Sequence, residues 1–460
     1  MGATPAISRA LLEKYATSAP RYTSYPTAVD WTKGFDPARY PALLEKAARD
    51  SGPLSVYVHL PFCRELCLFC GCNVVISRNT NRYDAYLDSL EAEFAIVRSS
   101  GIGARRVRQY HWGGGTPTQL DLARLERVQA AFEKTFQLEA DAEVAIEVDP
   151  RVTTRDQVAF LAAHGFNRIS MGVQDFEPAV QKAIKRVQSE DQTREVVDAA
   201  REHGIPSVNI DLIYGLPLQT PKSFEATVER VLDIRPERVA LFHYAHVPWL
   251  KKQQGSFVKH LPEGMEKFRI FQTGLARFLA AGYLYIGLDH FARPSDELAT
   301  AQKNRTLHRN FQGYTTKAGA DLYGMGVSAI SGIGAAYAQN YRDLPSYQDA
   351  VTQRGIATMR GYRLSQDDVI RRAVINRLLC HTVIPKREVE NEFAISFDEY
   401  FAEETARLEE FIADGLVRVS PDEIRVTVLG QIFIRNVAMI FDAYLKEQTQ
   451  ESRPLFSKTL

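Results

Sequence analysis

The chain has 460 residues, with 56 Lys and Arg against 56 Asp and Glu, 45% hydrophobic and 24% charged. That length suits two to three domain equivalents, and the ordinary globular composition excludes a disordered, collagenous or disulfide-stapled chain. Zero net charge offers no basic excess for nucleic-acid phosphate, no run of about 18 apolar residues is long enough for a membrane span, and the first residues lack a signal peptide's apolar core. The sequence therefore predicts a soluble cytoplasmic protein that binds neither nucleic acid nor membrane.

Residues 1–50 form an arm. Its segment Pro20-Arg21-Tyr22-Thr23-Ser24-Tyr25-Pro26-Thr27 holds two prolines in eight residues, so it predicts an extended path over the main unit rather than a helix. Residues 51–345 alternate short β-rich runs with helical patterns, as repeated βα units around a parallel sheet do. The predicted strands cover 55–61, 107–113, 143–150, 168–174, 208–215, 238–245 and 283–290. Apolar residues at three- and four-residue spacing predict helices over 81–101, 121–136, 193–204 and 265–283. Periodicity alone fits a barrel and an open doubly wound sheet equally. In either, polar chemistry gathers at the carboxyl ends of the strands. Those ends read His59, Gly113-Gly114-Gly115-Thr116, Glu147-Val148-Asp149, Gln174-Asp175, Asp211 and His243 to His246, which predicts one shared site. Residues 360–447 change to three helices, a hairpin over 416–428 and a last helix over 429–445, the order of a winged-helix domain. Its excess of glutamates points to a packing or lid role and not to DNA binding.

Four of the five cysteines, Cys63, Cys67, Cys70 and Cys72, fall in one ten-residue window after the first strand, and Cys380 sits apart on an apolar helix face. Such a cluster in a cytosolic chain binds a metal or does redox work. Structural zinc draws its ligands from two separated pairs, and no second pair exists here. Cys63, Cys67 and Cys70, spaced C-x3-C-x2-C, suit a 4Fe-4S cube with its fourth iron left open. Cys72 is then either a small neighbour or a participant in the reaction. The glycines after the second strand would admit close backbone approach of a ligand; without the G-x4-G-K lysine they do not form a phosphate loop. Glu147 either accepts from ribose hydroxyls or a cationic amine, or makes a surface salt bridge.

The C-x3-C-x2-C spacing at the end of a first strand resembles that of radical S-adenosylmethionine enzymes. Within that class the stretches PRYTSYPT, YVHLPFCRELCLFCGCN, QYHWGGGTPT, IEVDPR, ISMGVQDF, NIDLIYGLP, YAHVP, GLDHFARP, HRNFQGYTT and MGVSAIS resemble the oxygen-independent coproporphyrinogen III oxidase family. The resemblance implies an α/β fold, a partial (β/α)6 TIM-like barrel with the arm across its active site. It implies a 4Fe-4S cluster on Cys63, Cys67 and Cys70 and two S-adenosylmethionine molecules, the first bound by Tyr57, Gly114, Glu147 and Ile330. The second would be bound by Phe69, Gly115, Thr116, Gln174, Arg186, Asp211 and Ala245. The implied reaction converts two propionates of coproporphyrinogen III to vinyl groups without oxygen, through a 5′-deoxyadenosyl radical that takes hydrogen from the propionate β-carbon.

The same resemblance makes His59, Cys72 and Arg21 the candidate catalytic residues; His59 either passes a proton near the cluster or is structural. Arg21, Arg293 and Arg309 become candidate partners of substrate carboxylates. Further expectations are a flavodoxin- or ferredoxin-type low-potential electron donor, an electron acceptor and a monomeric enzyme. Two rival readings are a haem-trafficking relative without oxidase activity and a zinc-stabilised regulatory protein.

Overall fold

The computed structural model describes residues 7–31 and 35–445. Residues 1–6 and 32–34 of the expected arm, and 446–447 of the expected C-terminal domain, lie outside the described residues.

Twelve strands form one mixed sheet: β1 Leu54–Leu60, β2 Arg106–Gly114, β3 Gln137–Val148, β4 Arg168–Gln174, β5 Ser207–Tyr214, β6 Arg238–His243, β7 Leu284–Gly287, β8 His290–Ala292, β9 Asp321–Met325, β10 Ile330–Ile333, β11 Ala336–Asn340 and β12 Thr358–Arg363. Their spatial order is β12-β11-β10-β9-β1-β2-β3-β4-β5-β6-β8-β7. β1 to β6 pair in parallel throughout. Helices Thr80–Ser99, Leu122–Glu133, Arg155–Ala163, Glu190–Glu202, Pro221–Ile234 and Gly264–Ala280 follow β1 to β6 in turn. Six βα units result. Among the described residues no pairing joins β7 to β12, so the barrel stays open, and the ambiguity left by periodicity resolves to a partial (β/α)6 barrel.

The local chemistry explains these elements. Val56, Val58 and Leu60 of β1 are almost wholly buried, as a parallel strand covered on both faces requires. Five crossover helices start on Asn79, Asp121, Thr154, Ser189 and Thr220, whose side chains accept from amides of the first turn. The predicted strand over 283–290 is in fact two, β7 and β8, folded antiparallel at Leu288-Asp289. Here Gly287 (φ +149°) and Leu288 (φ +46°) break the extended run. β11 and β12 carry the sheet to Arg363, past the expected boundary at 345, because helix Leu344–Arg354 links two antiparallel strands too short to show a period.

After β12, helices Gln366–His381, Lys386–Phe393 and Ala402–Arg407 with Glu409–Ala413 pack with strands Val383–Pro385, Val417–Val419 and Glu423–Val426, a winged-helix order. The last predicted helix is regular only over Ile434–Met439. Most of the barrel and this region share one apolar core.

Residues 20–31 of the arm are irregular, between helices Arg9–Tyr15 and Tyr40–Ala47. Tyr22 donates to Asp442 at 2.9 Å and Arg435 Nε donates to the Pro20 carbonyl at 3.1 Å. Trp31 stacks on Tyr337 of β11 at 4.8 Å. The arm thus ties the C-terminal region to the sheet. Among the described residues no helix is long and apolar enough to cross a membrane.

Candidate active site

Register sets a row of side chains at the carboxyl ends of β1 to β5. Tyr57 pairs with His111, Leu60 with Gly114, Glu147 with Ser170 and Gly172 with Asp211. Above this row the segment after β1 folds over a cavity of about 490 Å³. Cys63, Cys67, Cys70 and Cys72 all line it, with Phe69, Gly114, Gly115, Thr116, Glu147, Gln174, Arg186 and Asp211. All five cysteines of the chain are unpaired.

Three contacts explain the glycine run. A Cβ on Gly114 (φ +115°) would sit 2.5–2.8 Å from the His59 ring, one on Gly115 would meet the Pro61 carbonyl at 2.5 Å, and one on Gly113 the Glu147 carboxylate at 2.9 Å. The Gly114 amide donates to Glu147 at 3.1 Å, and His111 Nε2 lies 3.6 Å from the other carboxylate oxygen. Burial works to raise the Glu147 carboxyl, but His111 and the Gly114 amide outweigh it and hold it below its ordinary value.

On the opposite wall Asp149 accepts from Arg151 at 2.6 Å and Arg186 at 3.0 Å, and both guanidinium groups also reach Cys67 Sγ at 3.7 Å. Against the effect of burial, the two arginines lower the Asp149 carboxyl. Cys63 Sγ and Thr116 Oγ1 are 3.5 Å apart. Cys72 is exposed to the cavity; its thiol hydrogen-bonds to Cys70, which lowers Cys70 and raises Cys72, so that Cys72 keeps the proton. Asp211 is pushed up to about 7, first by burial and then by the charge of Glu147.

Several expected residues do not face the cavity. His59 Nε2 is 3.0 Å from the Asn73 carbonyl, which can only accept, so Nε2 carries the proton and Nδ1 accepts from Tyr57 at 3.0 Å. Both nitrogens are engaged, and burial lowers the imidazole below its ordinary value. A proton relay has no open nitrogen there; His59 packs beneath Gly114. Ile330 lies on β10 against Gly324, the register partner of Tyr57. Ala245 does not line the cavity, and its carbonyl accepts from Gln254 at 3.2 Å. Arg21 pairs with Asp289 at 2.8 Å and stands 5.4 Å over the Phe242 ring, which lines the cavity. Arg293 sits by the amino end of β6, 3.9 Å from Glu237, at the opposite end from the cysteines, because β8 runs antiparallel to β6 and carries it down.

Sequence reasoning missed Arg151, Asn209 and the segment after β6. Lys251 donates to the Cys72 carbonyl at 2.7 Å, Gln253 to that of Cys70 at 3.1 Å and Gln254 to that of Phe69 at 3.0 Å. Three carbonyls of the cysteine loop are thereby fixed from one short stretch that has no apolar period to find.

Among the described residues no three His, Cys, Asp or Glu side chains converge on one point as a single ion needs, whereas the separate irons of a cube each take one thiolate. Gln174 Oε1, Arg186 Nε and Asn209 Oδ1 are buried without a hydrogen-bond partner. Two unsatisfied acceptors beside two carboxyls, with one unsatisfied guanidinium donor, fit a ligand that carries amine and hydroxyl donors as well as an acceptor. The donor set therefore fits an iron–sulfur cluster with an S-adenosylmethionine-like cofactor.

An open (β/α)6 sheet with three thiols over its carboxyl ends defines the radical S-adenosylmethionine class. Residues 57–231 match the radical SAM superfamily and 364–433 the HemN C-terminal domain. The chain is 47% identical to the oxygen-independent coproporphyrinogen III oxidases of Salmonella typhimurium and Escherichia coli, over 96% of this chain and 96% of each relative. The Pseudomonas aeruginosa enzyme of that name is 44% identical over 95% of each chain. The solved structure of coproporphyrinogen III oxidase (HemN) from Escherichia coli, a radical SAM enzyme, aligns with TM-score 0.89 and 46% identity, covering 92% of this chain and 97% of that one. This chain belongs to the family of oxygen-independent coproporphyrinogen III oxidases.

Proposed function

We propose that the protein converts coproporphyrinogen III to protoporphyrinogen IX without oxygen. In each of two propionates, CH2-CH2-COO⁻ becomes CH=CH2 with loss of CO2, one hydrogen atom and one electron. The observation that carries this reading is the meeting of Cys63, Cys67 and Cys70 with Glu147, Gln174, Arg186 and Asp211 in one cavity, in a chain with such relatives. When bound, the cluster supplies the electron that turns S-adenosylmethionine into a hydrogen-abstracting radical.

The chain's own residues bind and orient. Cys63, Cys67 and Cys70 hold three irons, and Arg151 and Arg186 stabilise the charge on Cys67. Glu147, kept ionised by His111 and Gly114, receives a cationic amine. Gly114 and Gly115 let the ligand reach the backbone. Gln174, Arg186 and Asp211 give the cavity polar partners for a second S-adenosylmethionine, beside Phe69 and Thr116. His59 acts by position, holding Gly114 and Tyr57. Cys72 presents an S–H to the cavity and takes part in the reaction. Arg21 orients Phe242 and is a positioning residue. A flavodoxin- or ferredoxin-type donor reduces the cluster, an acceptor takes the last electron, and the enzyme works as a cytoplasmic monomer.

Anaerobic incubation with coproporphyrinogen III, S-adenosylmethionine and a reductant tests the reaction by product mass. Loss of two CO2 and two H2 equivalents is expected; an unchanged mass refutes it. Deleting residues 1–28 should impair turnover with the cluster spectrum intact.

A further inference from the structure

The cysteine cavity leaves a second hollow of the molecule unexplained. It measures about 820 Å³, in the upper part of the range of about 300–1,000 Å³ typical of small-molecule sites, and shares no lining residue with the first cavity. The arm covers it through Tyr22 to Tyr25, the hairpin around Arg309 enters from one side, and helix Gln366–His381 closes the other. Its apolar lining combines the aromatic Tyr25, Phe311 and Tyr337, the last backed by stacked Trp31, with aliphatic Leu307, Leu322 and Val369.

Its charge is unbalanced at the inner end. Arg309 has Nε and Nη1 buried with no hydrogen-bond partner, and its cation stands 5.4 Å over the Tyr314 ring. Arg372 donates to the Tyr337 hydroxyl at 3.3 Å. Among the described residues neither forms an ion pair. The carboxylates on the wall are taken or lie outside: Asp321 binds Arg105 at 2.8 Å, Glu392 at the rim is paired with Arg377, and Glu388 is exposed. His308 on the wall adds no positive charge, since burial first, and then nearby Arg372 and His381, lower it to about 4. A guanidinium with two buried unpartnered nitrogens is costly unless an anion completes it.

We propose that this cavity binds a propionate-bearing tetrapyrrole, with Arg309 and Arg372 each meeting a carboxylate and the aromatic wall facing the macrocycle. The proposal rests on the reaction inferred above, and it reassigns carboxylate recognition from Arg293 to Arg372.

The test is titration of the full-length, cluster-loaded protein with coproporphyrin III, the air-stable fluorescent form with four carboxylates, and with protoporphyrin IX, which has two. Arg309→Gln and Arg372→Gln should each weaken coproporphyrin III binding by about ten- to a hundredfold, with S-adenosylmethionine affinity and the cluster spectrum unchanged. A greater loss for coproporphyrin III than for protoporphyrin IX marks a substrate site; the reverse marks a product site. Wild-type affinity for both ligands in both variants overturns the assignment. Should Arg309→Gln fail to fold, Arg309→Lys keeps the charge and should lose less, and equal binding there and in Arg372→Gln overturns it as well. Product mass from the wild-type enzyme reports separately on the reaction: turnover with insensitive variants sinks the cavity alone, whereas no turnover sinks the reading beneath it.

Discussion

Gln254→Ala removes a side chain that is wholly buried and makes three hydrogen bonds. Its amide donates to the Phe69 carbonyl at 3.0 Å and the Ala245 carbonyl at 3.2 Å, and its oxygen accepts from the Val247 amide at 2.7 Å. Truncation orphans one N–H and two C=O groups in a place without solvent. Each unsatisfied buried group costs about 1–3 kcal/mol, and water entering the vacated volume can satisfy part of the set, so about 2–4 kcal/mol is expected. The cost falls on the cysteine loop, because Phe69 lies between Cys67 and Cys70. The assay is iron and acid-labile sulfide per chain after anaerobic gel filtration, followed by the rate of cluster loss to a chelator. Faster loss with a fall of a few degrees in Tm is the expected result. Gln254→Glu should fail likewise, since it keeps the Val247 bond but turns an oxygen on both carbonyls. Wild-type cluster content and decay in both variants would refute the idea that this residue holds the loop.

Four further outcomes follow from the same geometry. Gly114→Ala forces a Cβ to within 2.5 Å of the His59 ring at φ +115°, so S-adenosylmethionine binding should be lost, as calorimetry can show. Asp211 in the folded chain, raised to about 7 from 3.8, holds a proton that the unfolded chain releases near pH 4. Its contribution to stability is therefore present below about pH 4 and lost as pH rises towards 7, and Asp211→Asn should flatten that fall in Tm of the cofactor-free protein; an unaltered slope would count against it. Cys72→Ser should keep the full cluster spectrum while lowering turnover, whereas Cys67→Ser should lose the cluster; equal iron loss in both would remove the distinction drawn between them. Tyr22→Phe breaks the 2.9 Å bond to Asp442 and should cost about 1–3 kcal/mol, seen as faster proteolysis of the arm.

The sequence by itself determined the six βα units, the polar strand ends and the cysteine trio, because each rests on local chemistry. Apolar period, capping side chains after strands and close spacing of thiols are all properties of neighbours along the chain. It also placed Glu147, Gln174 and Asp211 at strand ends, and register then brought them to one cavity, which Arg186 joins from the loop after helix Pro178–Ala183. Only the tertiary structure decided what depends on distant pairs. Arg151 and Arg186 meet on Cys67 across different βα units, and Gln254 grips Phe69 from 185 residues away. His59, a catalytic candidate in sequence, lost that standing once Asn73 and Tyr57 were seen to occupy both its nitrogens. Arg293 was carried to the wrong end by a hairpin hidden in an apparently single strand, whereas Arg372, in no recognisable motif, faces the second cavity. Periodicity reports which face of an element is buried; it carries no information on which element lies opposite, and side-chain chemistry at a site is set by what lies opposite.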